Sequence, residues 1–208
     1  MNMKPVGSVT TINQKAMRLQ TSEKHTDFGA ETALSTEMRQ AAVARLLEIN
    51  NPAEADKRLV SSLESISNST VVEQIKTRFT DTEAIYTTQG FQIQLDTLEQ
   101  CDKAERAVRA SMASLSVDEI TNQLALLAAL VVKPAGESVE DYTFRMNAIA
   151  MQLTEYPADI VMYAIKEVSK TATFWPAYAE FYKHIDWRLH KRKLLLRAIE
   201  QQRRKLLT

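Results

Sequence analysis

For most of the chain's length apolar residues recur at three- and four-residue intervals, the period of one face of an α-helix. The first helix starts near Met38, with Ala41, Ala42, Arg45 and Leu46, and Ser35 or Thr36 supplies a hydroxyl to its free first-turn amides. Asn50-Asn51-Pro52 ends it. Pro52 opens the next helix, whose inner side is Leu59, Val60, Leu63 and Ile66. After the turn Ser67-Asn68-Ser69-Thr70, the positions Val72, Ile75 and Phe79 predict a helix to about Thr87. Gly90 breaks the chain there. Phe91-Gln92-Ile93-Gln94-Leu95 alternates like a strand, but Leu98, Cys101, Val108 and Met112 extend a helical face, so one long helix from about 91 to 113 is expected.

Ser116-Val117-Asp118-Glu119 has the form of a capping box, in which Ser116 bonds forward to the third amide and Glu119 reaches back. The helix behind it, to about Val132, carries Ile120, Leu124, Leu127 and Val131 with Leu126 and Leu130 beside them. So wide an apolar surface predicts the central buried helix. Lys133-Pro134-Ala135-Gly136 stops it. A further helix opens at Ser138 and Asp141 and places Tyr142, Met146, Ile149 and Leu153 on one side, and Tyr156-Pro157 restarts the chain into Val161, Ala164, Ile165 and Val168. From Pro176 a last helix holds a 4,3 alternation through Tyr178, Tyr182, Ile185, Leu189, Arg192, Leu196, Ile199, Arg203 and Leu206. Past Leu189 this seam is too polar to bury without a partner or snorkelling heads.

These elements define an all-α, multi-helix bundle in three parts: a mobile N-terminal arm over 1–34, polar and without sustained period, a helical region over 35–115, and a helical module over 116–208 closed by a long basic helix. With only four glycines and five prolines the composition also favours long helices over turn-rich sheet. The apolar run Leu124 to Val132 falls far short of the ~20 residues a bilayer crossing needs, and residues 1–30 contain no signal-peptide core. A single cysteine, Cys101, makes no internal disulfide and fits a reducing cytoplasm.

Charge changes the picture at one end. The net charge of zero conceals nine Lys and Arg against two acids from Lys183 to Thr208, which leaves that segment at +7 and the rest at −7. Lys183, His190, Arg197 and Arg204 repeat every seven residues as one ridge, with Arg188, Lys191 and Lys205 beside it. Together with Arg192, Arg203 and Trp187 they are the candidate residues for nucleic-acid or partner binding. Competing readings of the same run are a solvated face, a membrane-surface helix and a coiled-coil homo-oligomer. Phe174, Trp175, Pro176 and Tyr178 are expected to anchor the start of the helix by packing.

Catalytic chemistry has no visible carrier. His184 and His190 are six residues apart, about 120° off a shared helix face, and His25 lies in the arm, so no metal site is expected. There is no glycine-rich phosphate loop and no cofactor motif, and the acidic pairs read as helix-start charges. The expectation is a binding protein without small-molecule substrate.

Tyr156-Pro157-Ala158-Asp159-Ile160-Val161, a polar link, and then Phe174-Trp175-Pro176-Ala177-Tyr178-Ala179-Glu180-Phe181 resemble a pattern in small helical proteins of phages and prophages. There a helix beginning Pro-x-Asp is followed by an aromatic-aromatic-Pro start and a Glu-hydrophobic pair. The resemblance spans about 120–200 and points to the replisome organiser or helicase-loader type. It implies DNA or a replicative helicase as partner. No winged-helix or ATPase segment accompanies it, so it implies an adaptor in DNA replication. The alternative is a virion, assembly or scaffold protein whose last helix self-associates.

Overall fold

A computed structural model of the chain describes residues 34–80, 83–133 and 135–208. The expected arm over 1–34 lies outside the described residues but for Leu34. Seven helices and one hairpin follow in order: α1 (Thr36–Ile49), α2 (Pro52–Ser67), β1 (Val72–Phe79), β2 (Ala84–Gln92), α3 (Leu98–Ser111), α4 (Val117–Ala128), α5 (Val139–Leu153), α6 (Ala158–Thr171) and α7 (Tyr178–Leu207). The fold is therefore mostly helical, and an all-α description overstates it.

Helix starts follow from local hydrogen bonding. Ser35 Oγ accepts from the Met38 amide, and Asn51 Oδ1 accepts from Ala53 immediately before Pro52, where a missing N–H costs nothing. Asn50 and Asn68 close α1 and α2 in the left-handed conformation that asparagine tolerates. Thr97 with Gln100, and Ser116 with Glu119, form complete capping boxes ahead of α3 and α4. Gly136, at φ 82°, supplies the turn between α4 and α5.

The hairpin replaces the helix expected to about Thr87, and the one expected from 91 begins only at Leu98, after the end of β2 and an irregular stretch over 93–97. β1 and β2 pair antiparallel from Val72↔Gln92 to Phe79↔Ala84, with a register shift between Gln74 and Ile75. Val72, Ile75 and Phe79 mimic a helical stripe, yet Phe79 is 79% exposed and none of the three is buried. The decisive signal is the density of β-branched and aromatic residues, including Val71, Val72, Ile75, Thr77, Ile85, Tyr86, Thr87 and Thr88, which lose χ1 freedom in a helix and fit a pleated sheet. Gly90 is a strand residue beside the irregularity; a Cβ there would lie 3.3 Å from Gln74 Oε1.

Two apolar clusters form the core. The first joins α1, α4, α5, α6 and the front half of α7, through residues such as Leu46, Leu124, Leu153, Ile160, Phe181 and Ile185. The second joins α2, α3, the chain flanking the hairpin and the back half of α7, through Leu63, Val71, Ile93, Val108, Leu195 and Ile199. The first cluster draws residues from both sides of 115/116, and the described residues pack as one unit. α4 covers the core with one side only: Ile120, Leu124 and Leu127 are buried, while Leu126 and Leu130 face solvent and the helix ends at Ala128. It is not buried all round, as the width of its apolar surface predicted.

α7 runs through both clusters for 30 residues, about 45 Å at 1.5 Å per residue. Phe181, Ile185 and Ile199 are fully enclosed, each stabilising by about 1.5–3 kcal/mol. The seam does not fail past Leu189. Leu194, Leu195, Ala198 and Ile199 are buried within the same chain, and Arg192, lying in sequence between the α7 contributions to the two clusters, is buried with them.

Candidate nucleic-acid interface

The cations of α7 separate into two sets by the direction their side chains take. Arg192 has no exposed surface. Its Nε donates to Asp56 Oδ1 at 2.8 Å, Nη1 to Asp159 Oδ1 at 3.0 Å and Nη2 to Asp159 Oδ2 at 2.6 Å; Nη1 also donates to the carbonyl of Ser111. One side chain thereby ties α7 to α2, α3 and α6. Burial works against its charge, but the two aspartates more than offset this and hold the guanidinium above its ordinary range. Asp56 is raised, because burial outweighs the attraction of Arg192.

Two further candidates also turn inward. Arg203 Nη2 donates to Asp102 at 2.5 Å and lies 2.9 Å from Glu105 Oε2 on α3. Lys191 Nζ lies 2.8 Å from Glu73 Oε1 on β1 and fastens the hairpin to α7. Burial raises the Glu73 carboxyl, but the hydrogen bonds from Lys191 and Thr88 prevail and its net shift is downward. Three of the ten sequence-predicted binding residues are thus paired with acids on other elements, and Arg192 is removed from the surface altogether.

The other set faces outward. Lys183, His190, Arg197 and Arg204 are all exposed, as are Lys193 and Lys205. Seven residues turn a helix only about 20° short of two full turns, so the four share a slowly drifting ridge with steps of roughly 10 Å. Among the described residues Lys193, Arg197, Arg204 and Lys205 make no ion pair, whereas Lys183 lies 3.9 Å from Glu180. Lys193 was not among the predicted residues, although its place between His190 and Arg197 was a usable signal.

Trp187 is 52% exposed, and its ring is covered on one face by the Arg188 guanidinium at 4.1 Å. The same guanidinium lies 4.1 Å from the Tyr163 ring, so Arg188 is held against both aromatics, and its Nη1 donates to the His184 carbonyl. Arg188 is consequently less available to a partner than its neighbours on the ridge.

At the start of α7 the expected anchor is reduced by one residue. Trp175 is buried against Tyr142, with ring centroids 5.0 Å apart; Pro176 is buried, and the Tyr178 hydroxyl lies 2.7 Å from that of Tyr156. Phe174 is 63% exposed, and only its backbone neighbourhood is fixed, by the Val132 amide donating to the Thr173 carbonyl.

Among the described residues no group of three His, Cys, Asp or Glu side chains converges as a metal site, and no helix is long and apolar enough to cross a membrane. His25 lies outside the described residues. Cys101 is enclosed in the second cluster, and burial pushes its thiol up. No protein-family model matches this chain, and no curated protein or solved structure matches it either.

Proposed function

We propose that this chain is a non-enzymatic helical adaptor acting in nucleic-acid transactions, of the phage or prophage replication type and at work in the host cytoplasm, with the outer ridge of α7 contacting phosphates. The observation that carries this reading is the sorting of α7's cations. Arg192, Arg203 and Lys191 are neutralised inside the fold, while Lys193, Arg197, Arg204 and Lys205 are exposed without ion pairs among the described residues. Unneutralised cations on one rigid helix displace condensed counterions from a phosphate backbone, and no base-reading element accompanies them, so the binding is independent of sequence.

The test is a titration of labelled duplex and single-stranded DNA at several salt concentrations. Binding should be measurable at ~50 mM salt, weaken steeply as salt rises, and lose about two counterions' worth of slope when Arg197 and Arg204 become Ala. Absence of binding to either form at ~50 mM salt overturns the proposal.

The alternative, self-association through the last helix, now rests on Leu206 and Leu207, which are exposed at its end. Ile185, Leu189, Arg192 and Ile199 of the seam are covered within the chain. Light scattering of the Leu206→Ser, Leu207→Ser variant separates the two: an oligomer of the parent that this change dissociates favours the scaffold reading.

A further inference from the structure

α1 carries a face that the core does not use. Met38 and Ala41, with Leu34 just ahead of the helix, lead to Arg45 and Glu48 at the intervals of one helical face, whereas the core takes Ala42, Val43 and Leu46. This face, apolar at its start and charged at its end, forms one wall of an open groove of about 530 Å³ between α1, α2 and α3. Leu46, Ala55, Leu59 and Ala110 contribute to its lining, and small residues on α1 and α3 keep it wide.

Three arginines line this groove, one from each helix: Arg45, Arg58 and Arg106. Arg58 is paired with Glu54 at 3.2 Å, but Arg45 and Arg106 make no ion pair among the described residues. Glu48 is the one acid among the described residues that lines the groove. The α1 wall, Thr36–Ile49, is about 21 Å long, just under four turns of helix.

We propose that this groove docks an acidic amphipathic helix of a partner protein, whose apolar stripe lies on the alanine and leucine floor and whose flanking carboxylates meet Arg45 and Arg106. An apolar floor of this length suits helix-in-groove recognition, in which anchors at i, i+4 and i+7 enter the groove. Two cations on opposite walls select a helix with acids on both flanks and reject a basic one. The proposal does not rest on the α7 ridge, since α7 supplies no residue of the groove's lining.

The experiment uses the full chain and two fluorescein-labelled designed peptides of about 15 residues, with leucines at i, i+4, i+7 and i+11 and either Glu or Lys at the flanking positions. Anisotropy should show saturable binding of the acidic peptide only. Arg45→Glu with Arg106→Glu should weaken it by about tenfold or more and bring in the basic peptide. Ala41→Trp, which changes no charge, should block it while the circular dichroism spectrum and the DNA titrations stay unchanged. Failure of the acidic peptide to bind by ~1 mM, equal binding of both peptides, or indifference to the charge reversal overturns the proposal. Displacement of a fluorescent long-chain carboxylate without any peptide binding overturns it too, and assigns the groove to a small amphipathic anion.

Discussion

Arg192 donates two parallel hydrogen bonds to the carboxylate of Asp159, at 3.0 and 2.6 Å, from the middle of α7 to the first turn of α6. Neither side chain has exposed surface. Removing one member leaves the other as an uncompensated buried charge, so Arg192→Met or Asp159→Asn should destabilise by about 3–5 kcal/mol in urea unfolding. Replacing Arg192, Asp159 and Asp56 together by apolar residues of similar size should cost much less. A larger loss in the triple variant would show that the ions contribute net stability and do more than fix the register of α7.

Arg203 and Arg204 are sequence neighbours with opposite fates. Arg203→Ala should lower stability by about 1 kcal/mol through its partly exposed bonds to Asp102 and Glu105, and leave the salt slope of DNA binding nearly as it was. Arg204→Ala should do the reverse, with unchanged urea midpoint and a shallower slope.

The Ser116–Glu119 box predicts a pH dependence. The Ser116 amide and hydroxyl both donate to Glu119 Oε2, at 2.8 and 2.7 Å, and the backbone bond above all lowers this carboxyl below its usual range. A lowered folded value means that the contribution is complete above the unfolded value near 4.5 and disappears as pH falls through the folded one. Glu119→Gln should remove that part of the acid limb. Ser116→Ala should cost about 0.5–2 kcal/mol at neutral pH, measured by the same unfolding curves.

Substitutions in the hairpin distinguish a strand from the helix that its spacing suggested. Phe79→Ser and Ile75→Thr should each change stability by less than about 0.5 kcal/mol, since both side chains lie mostly in solvent. Core positions of an amphipathic helix would lose about 2–5 kcal/mol at the same sites.

The features readable in the sequence are those decided within a few residues. Ser35, Ser116 and Ser138 cap the helices expected of them, because a side chain two or three positions from a free amide reaches it in any context. The inner stripes of α5 and α6 are equally local. The hairpin was obscured because three of its exposed apolar residues fall at helical spacing, and a sheet that is wet on both faces shows no alternation of polarity. Arg192 falls on the expected seam, but that it is a buried intramolecular tie and not a partner contact depends on Asp56 and Asp159, 136 and 33 positions away. The seven-residue ridge was legible in full; which of its neighbours the fold neutralises was not, for the same reason.

The path of α7 through both clusters has a consequence for the order in which the molecule can assemble. Synthesis delivers α2, α3 and α6 first, with Asp56 and Asp159 lacking their cation and both apolar clusters lacking one wall. Until α7 is released the nascent chain holds open hydrophobic surface and an unmatched pair of acids, a state with little to gain by closing early. Final folding therefore waits until α7 itself has left the ribosome, and a chaperone that holds the nascent chain would act before that point.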